Sequence, residues 1–107
     1  MEFRDEEFVK RAGFVMMARL AVSNKGAADE EFERFLPIIE REASDDRNFV
    51  KKAVNWALRQ IGKRNKDLNR KAVEAAEKIY TSNTKSARWI AANALRELRS
   101  ESVQKRL

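Results

Sequence analysis

Residues 48–65 read Asn-Phe-Val-Lys-Lys-Ala-Val-Asn-Trp-Ala-Leu-Arg-Gln-Ile-Gly-Lys-Arg-Asn, and their spacing decides the fold class. At about 100° per residue, Phe49, Val50, Ala53, Val54, Ala57, Leu58 and Ile61 fall on one broad stripe, the mark of an amphipathic helix. Trp56 lies at the edge of that stripe. Lys52, Arg59 and Lys63 line up beside it on the polar side. Two readings fit this edge. One is a half-buried Trp whose basic neighbours lay their stems over apolar surface. The other is a surface that stacks on, or packs against, a polyanion.

The same period runs outward in both directions. Upstream, Phe8, Val9, Ala12, Phe14, Val15, Met16, Met17, Leu20 and Val22 predict a helix from about Arg4 to Ser23 that is apolar almost all round. Such a helix needs cover on several sides. Asn24-Lys25-Gly26 ends it. A second helix runs from about Asp29 to Ala43, with Asp29 as its N-cap and Pro37 inside, where it bends the helix or removes one backbone bond. Ser44-Asp45-Asp46 caps the third. Downstream, Leu68, Ala72, Ala75, Ala76 and Ile79 predict a fourth helix over Asp67 to Tyr80. Ile90, Ala94, Leu95 and Leu98 predict a fifth over Lys85 to Leu98, with a short helix or fraying end after Ser100. Three glycines and one proline leave little room for strands and hairpins.

The length of 107 residues bounds the chain to one small domain with a modest core. It has no cysteine, which excludes disulfides and thiolate metal sites. It has no histidine, which removes the usual general base and the commonest transition-metal ligand. No cofactor and no metal is expected. The formal charge is +6, which favours an anionic partner, nucleic acid ahead of an acidic membrane surface. No apolar run approaches the ~20 residues of a membrane span, and Glu-Phe-Arg-Asp-Glu-Glu after Met1 is no signal peptide. A cytoplasmic protein is expected.

Short blocks recur. Phe8-Val9-Lys10-Arg11-Ala12 reads like Phe49-Val50-Lys51-Lys52-Ala53, and Ala57-Leu58-Arg59-Gln60-Ile61 reads like Ala94-Leu95-Arg96-Glu97-Leu98. Helix pairs repeating at roughly 40 residues predict an all-α, HEAT-like α-solenoid of stacked antiparallel helix pairs. In that register Arg11, Lys52 and Trp89 are equivalent positions along one face. Helical phase puts Trp89 with Lys85 and Arg96, away from the apolar stripe of the fifth helix.

Phe8-Val9-Lys10-Arg11-Ala12-Gly13, then Asn48 to Lys63, then Lys85-Ser86-Ala87-Arg88-Trp89-Ile90-Ala91 resemble the C-terminal half of DNA alkylation repair proteins, the HEAT-repeat alkylpurine DNA glycosylases. The resemblance spans essentially the whole chain, which is read as one helical domain, 1–107, corresponding to the C-terminal part of a longer family domain. It implies double-stranded, alkylated DNA as partner, held on a basic concave face, and removal of N3- and N7-alkylated purines. It places Arg11 near the lesion and backbone, and Trp56 against the deoxyribose of the damaged nucleotide. Arg11, Lys52, Trp56, Arg59, Lys63, Lys85, Trp89 and Arg96 are the candidate DNA-binding residues. The family's catalytic Asp lies in a Trp-containing motif that nothing here matches; Asp5, Glu6 and Glu7 are the nearest acids, and Glu7 reads as an i,i+4 ion-pair partner of Arg11. Impaired catalysis is therefore expected. The alternative is a non-catalytic solenoid that binds proteins. The apolar first helix predicts self-association, most simply as a two-fold homodimer.

Overall fold

The computed structural model describes residues 2–107, with side chains from residue 6. Six helices make up nearly all of it: α1 (Glu2–Ser23), α2 (Asp29–Glu42), α3 (Asn48–Gly62), α4 (Lys66–Tyr80), α5 (Lys85–Leu98) and α6 (Glu101–Arg106). No strand occurs among the described residues, and no helix among them is long and apolar enough to cross a membrane. The fold is all-α and solenoid-like.

Helix starts follow local chemistry. Asn65, Thr84 and Ser100 precede α4, α5 and α6, and each side chain accepts a bond from the backbone N–H three residues on, at 2.8, 3.1 and 3.2 Å. The starts of α2 and α3 differ from the sequence expectation. Ala28 and Arg47 occupy their N-cap positions without side-chain caps. Asp29 is the first helical residue instead, where with Glu30 and Glu31 it faces the positive end of the helix dipole. Asp45 fails to cap α3 because its carboxylate is engaged elsewhere: it accepts from the backbone, Nε and Nη2 of Arg47 and from Lys10. Pro37 does not interrupt α2.

The helices stack in two layers. In one, α1, α3 and α5 lie side by side and parallel. Arg11 meets Phe49 near the starts of α1 and α3, while Arg64 reaches Ala21 near their ends. Likewise Lys51 meets Trp89, and Arg59 meets Glu97. In the other layer, Asn65 meets Asp29 and Lys71 meets Glu33, so α2 and α4 are parallel too. Consecutive helices are antiparallel: Asn69, at the start of α4, donates to the carbonyl of Leu98 at the end of α5. These cross-repeat contacts join residues 36 to 43 positions apart, the period that the recurring blocks predict.

Phe32, Ile39, Val50, Val54, Leu58, Ile61, Leu68, Ile90 and Leu98 fill the core between the layers. Alanines such as Ala53, Ala57, Ala72 and Ala94 let the backbones approach. Gly62 marks the tightest approach: a Cβ there would stand 2.5 Å from a Leu98 methyl and 3.0 Å from the Ala72 Cβ.

α1 has cover on one side only. Phe14, Ala18 and Ala21 turn inward, but Phe8, Val9 and Met16 remain 62%, 71% and 69% exposed. The all-round apolar pattern is thus real but uncovered here, because α1 lies at the end of its layer.

Candidate nucleic-acid interface

The outward edge of α3 carries Lys52, Trp56, Arg59 and Lys63, and the fold leaves these side chains in different states. Lys52 is exposed, and Trp56 is half-buried against the rim of the core. Arg59 and Lys63 are held in place. The Arg59 guanidinium donates to Glu97 Oε1 at 2.8 Å and to Asn55 Oδ1 at 2.8 Å. Lys63 Nζ donates to Glu97 Oε2 at 2.9 Å. Asn55 is itself buried and donates to the Ile90 carbonyl at 3.1 Å. Burial pushes the Glu97 carboxyl up, but the hydrogen bonds from Arg59 and Lys63 outweigh it and hold it below its ordinary value. Two of the expected cations are therefore neutralised by one buried acid. The repeat register carried the signal, since Glu97 stands where the preceding block has Gln60.

At the other end of the layer the arrangement is looser. Arg11 is exposed, its guanidinium 5.6 Å from the centroid of the Phe49 ring. The pair expected between Glu7 and Arg11 is not among the described ion pairs; the aromatic face of Phe49 takes the cation instead. Lys51, which the helical phase did not single out, lies 4.9 Å from the Trp89 ring centroid, and Trp89 is 41% exposed. Lys85 and Arg96 are exposed on α5, eleven residues or about 17 Å of helix apart. The structure thus gathers Arg11, Phe49, Lys51, Lys52, Trp89 and Lys85 toward the N-terminal ends of three parallel helices. Arg59, Lys63 and Arg96 lie toward the C-terminal ends.

The acids near this layer have other duties. Lys10 bridges Glu42 at 2.8 Å and Asp45 at 3.4 Å. Arg47 beside Asp45 holds its carboxyl at about 2, against the opposing effect of burial and with help from Lys10. An acid so strongly ionised and flanked by two cations is no proton shuttle. Glu6 lies 3.9 Å from Lys10. The Asp5 side chain lies outside the described residues. Among those residues no cluster of acids could hold a metal ion.

With this geometry fixed, the decisive comparison is with protein families. The family described as DNA alkylation repair enzyme matches residues 3–98. The chain belongs to that family. None of the curated proteins and none of the solved structures is significantly similar. In this DNA alkylation repair family member, the match takes in α1 through α5 and thus every one of the eight candidate residues.

One structural residue escaped the sequence reading altogether. Arg64, just past α3, donates to the carbonyls of Ala21, Asn24 and Ala27 at 2.9, 3.1 and 3.1 Å. Its guanidinium also stacks 4.2 Å from the Phe32 centroid. It satisfies carbonyls that the end of α1 leaves without partners.

Proposed function

We propose that the chain holds duplex DNA against the outward face of α1, α3 and α5, with Arg11 and Trp56 beside an alkylated purine nucleotide. The family match over residues 3–98 carries this reading. The exposed, unpaired cations Arg11 and Lys52 and the partly exposed rings of Trp56 and Trp89 on one layer support it. Arg11 suits a phosphate, since a guanidinium presents a rigid fork of donors. Trp56, fixed at the core rim, offers a flat apolar wall to a sugar.

Excision of an N3- or N7-alkylpurine leaves positive charge on the deoxyribose while the base departs neutral. A nearby carboxylate would stabilise that charge and position water. No residue of this chain matches the family's Trp-containing Asp motif, and Asp45 is locked between Lys10 and Arg47. Loss of one well-placed electrostatic group costs about 100- to 1,000-fold in rate. The chain therefore binds duplex DNA and accelerates excision only slightly over spontaneous loss. Single-turnover release of 7-methylguanine from a defined duplex, with and without the protein, tests this. Release far above the spontaneous rate would show that the chain supplies its own carboxylate, with Asp5→Asn the first variant to make.

A second reading, a non-catalytic solenoid that binds protein, has one observation in its favour: the edge formed by Phe8, Val9 and Met16 is open. A second copy of the chain, docked about a two-fold axis, would cover it. Concentration-dependent mass in light scattering, with no salt-dependent DNA binding, would favour this reading.

A further inference from the structure

At the C-terminal ends of α1 and α3 the surface falls into an open cleft of ≈ 480 Å³. This lies within the ~300–1,000 Å³ of sites that take small molecules. Its walls carry Lys25, Lys63, Arg64 and Arg106 against one carboxylate, Asp29. The ends of two helices would ordinarily disfavour an anion, because their free carbonyls carry partial negative charge. Here Arg64 is given over to the last carbonyls of α1, so the other cations are not needed there. Lys63 gives one of its three donors to Glu97. Asp29 is engaged by the Asn65 amide at 3.0 and 3.3 Å. Lys25 and Arg106 make no ion pair among the described residues.

We infer that this cleft binds a phosphodiester of a nucleic-acid backbone, with Lys25 and Arg106 as its principal charges and Gln60 as a neutral donor. The inference rests on the proposed duplex-binding reading and extends it to a place that reading does not use. Trp56, Gln60 and Lys63 occupy successive turns of α3, so the cleft opens where the outward face of that helix ends. The positive groups come from three separate segments: the loop after α1, the end of α3 and α6. Arg presents a fork to phosphate oxygens and Lys a mobile point charge, the pairing expected for one tetrahedral anion. The cleft is open rather than enclosed, so a continuous backbone can pass through it.

The double substitution K25Q/R106Q tests the site. Both side chains are exposed, so the melting temperature should stay put. Each lost phosphate contact lowers the slope of log affinity against log salt by ~1, so the double variant should lose about 2 from the slope and on the order of 10-fold in affinity at low salt. The parallel variant R11Q/K52Q separates the two claims. Wild-type protein that shows no salt-dependent duplex binding overturns the reading on which the site rests. Wild-type binding that R11Q/K52Q weakens but K25Q/R106Q leaves unchanged overturns the cleft alone. An amide-resolved titration with inorganic phosphate covers the other source of the same chemistry. Saturable shifts at Gln60 and Asn65, with the duplex slope of K25Q/R106Q unchanged, would assign the cleft to free phosphate and overturn the backbone assignment.

Discussion

Where α3 meets α5, polar groups fasten the helices: Asn55 to the Ile90 carbonyl, Arg59 and Lys63 to Glu97, and Asn69 to the carbonyls of Gly62 and Leu98. Where α3 meets α1, the inward side chains are Phe14, Ala18 and Ala21, with Arg64 tying one end and Arg11 resting on Phe49 at the other. The first seam engages cations that the sequence offers to a polyanion. The second leaves Arg11 and Lys52 unengaged and leaves an apolar edge on α1. Buried polar bonds fix register, because a slip would strand their desolvated groups. An apolar seam tolerates adjustment. The open end of the stack thus carries both the freest cations and the residues that the family resemblance puts at the lesion.

The largest expected effect comes from breaking the tie at the α1 end. Arg64→Ala removes bonds to three carbonyls and the stack on Phe32, and should destabilise the chain by about 2–3 kcal/mol. Chemical denaturation measures it. A loss below about 0.5 kcal/mol, the range of ordinary surface changes, would mean that α1 is held by its apolar seam alone.

Next is the cluster that anchors α1 to the loop before α3. Asp45 titrates at about 2 in the folded chain against 3.8 when unperturbed. A depressed pKa contributes stability above the unfolded value and loses it as pH falls through the folded one. Asp45→Asn should therefore cost on the order of 1–2 kcal/mol at neutral pH. The gap from wild type should close between pH 3.8 and about 2. Thermal melts of both proteins over that range check it; a gap that persists at pH 2 would show that Asp45 acts through packing and not charge.

A smaller change sharpens the contrast between the seams. Glu97→Gln removes the acid shared by Arg59 and Lys63 and should cost about 1 kcal/mol, since all three groups are partly solvated. The same variant should tighten duplex DNA binding and steepen its salt dependence, because two cations become available. Unchanged affinity would leave Arg59 and Lys63 as structural residues and confine the DNA face to Arg11, Lys52 and their neighbours.

Much of this was legible in the sequence. The stripe of α3 and the blocks at Phe8 and Phe49 give the stack, because helical period and repeat period are both local patterns of side-chain size. The outward position of Trp56, Lys52 and Trp89 follows from phase alone. What phase cannot show is the partner of a long side chain. Arg59 and Lys63 look free on a helical wheel, and only the neighbouring helix supplies Glu97. Arg64 was out of reach for the same reason: it reaches carbonyls 37 to 43 residues away, and a carbonyl has no signature in a sequence. Asp45 looked like a cap because capping is the commonest use of an acid before a helix, yet Arg47 and Lys10 compete for it and win.

The outward face of α1, α3 and α5 is tested most directly through its tryptophans. The chain has only two, Trp56 and Trp89, so a nitrogen–proton correlation spectrum shows two indole signals. Titration with a duplex carrying one 7-methylguanine should move both signals, and the matching undamaged duplex should move Trp56 less. If both indole signals stay fixed while backbone amides of α2 and α4 shift, DNA binds the opposite layer, and the assignment of Arg11 and Trp56 to the lesion is wrong.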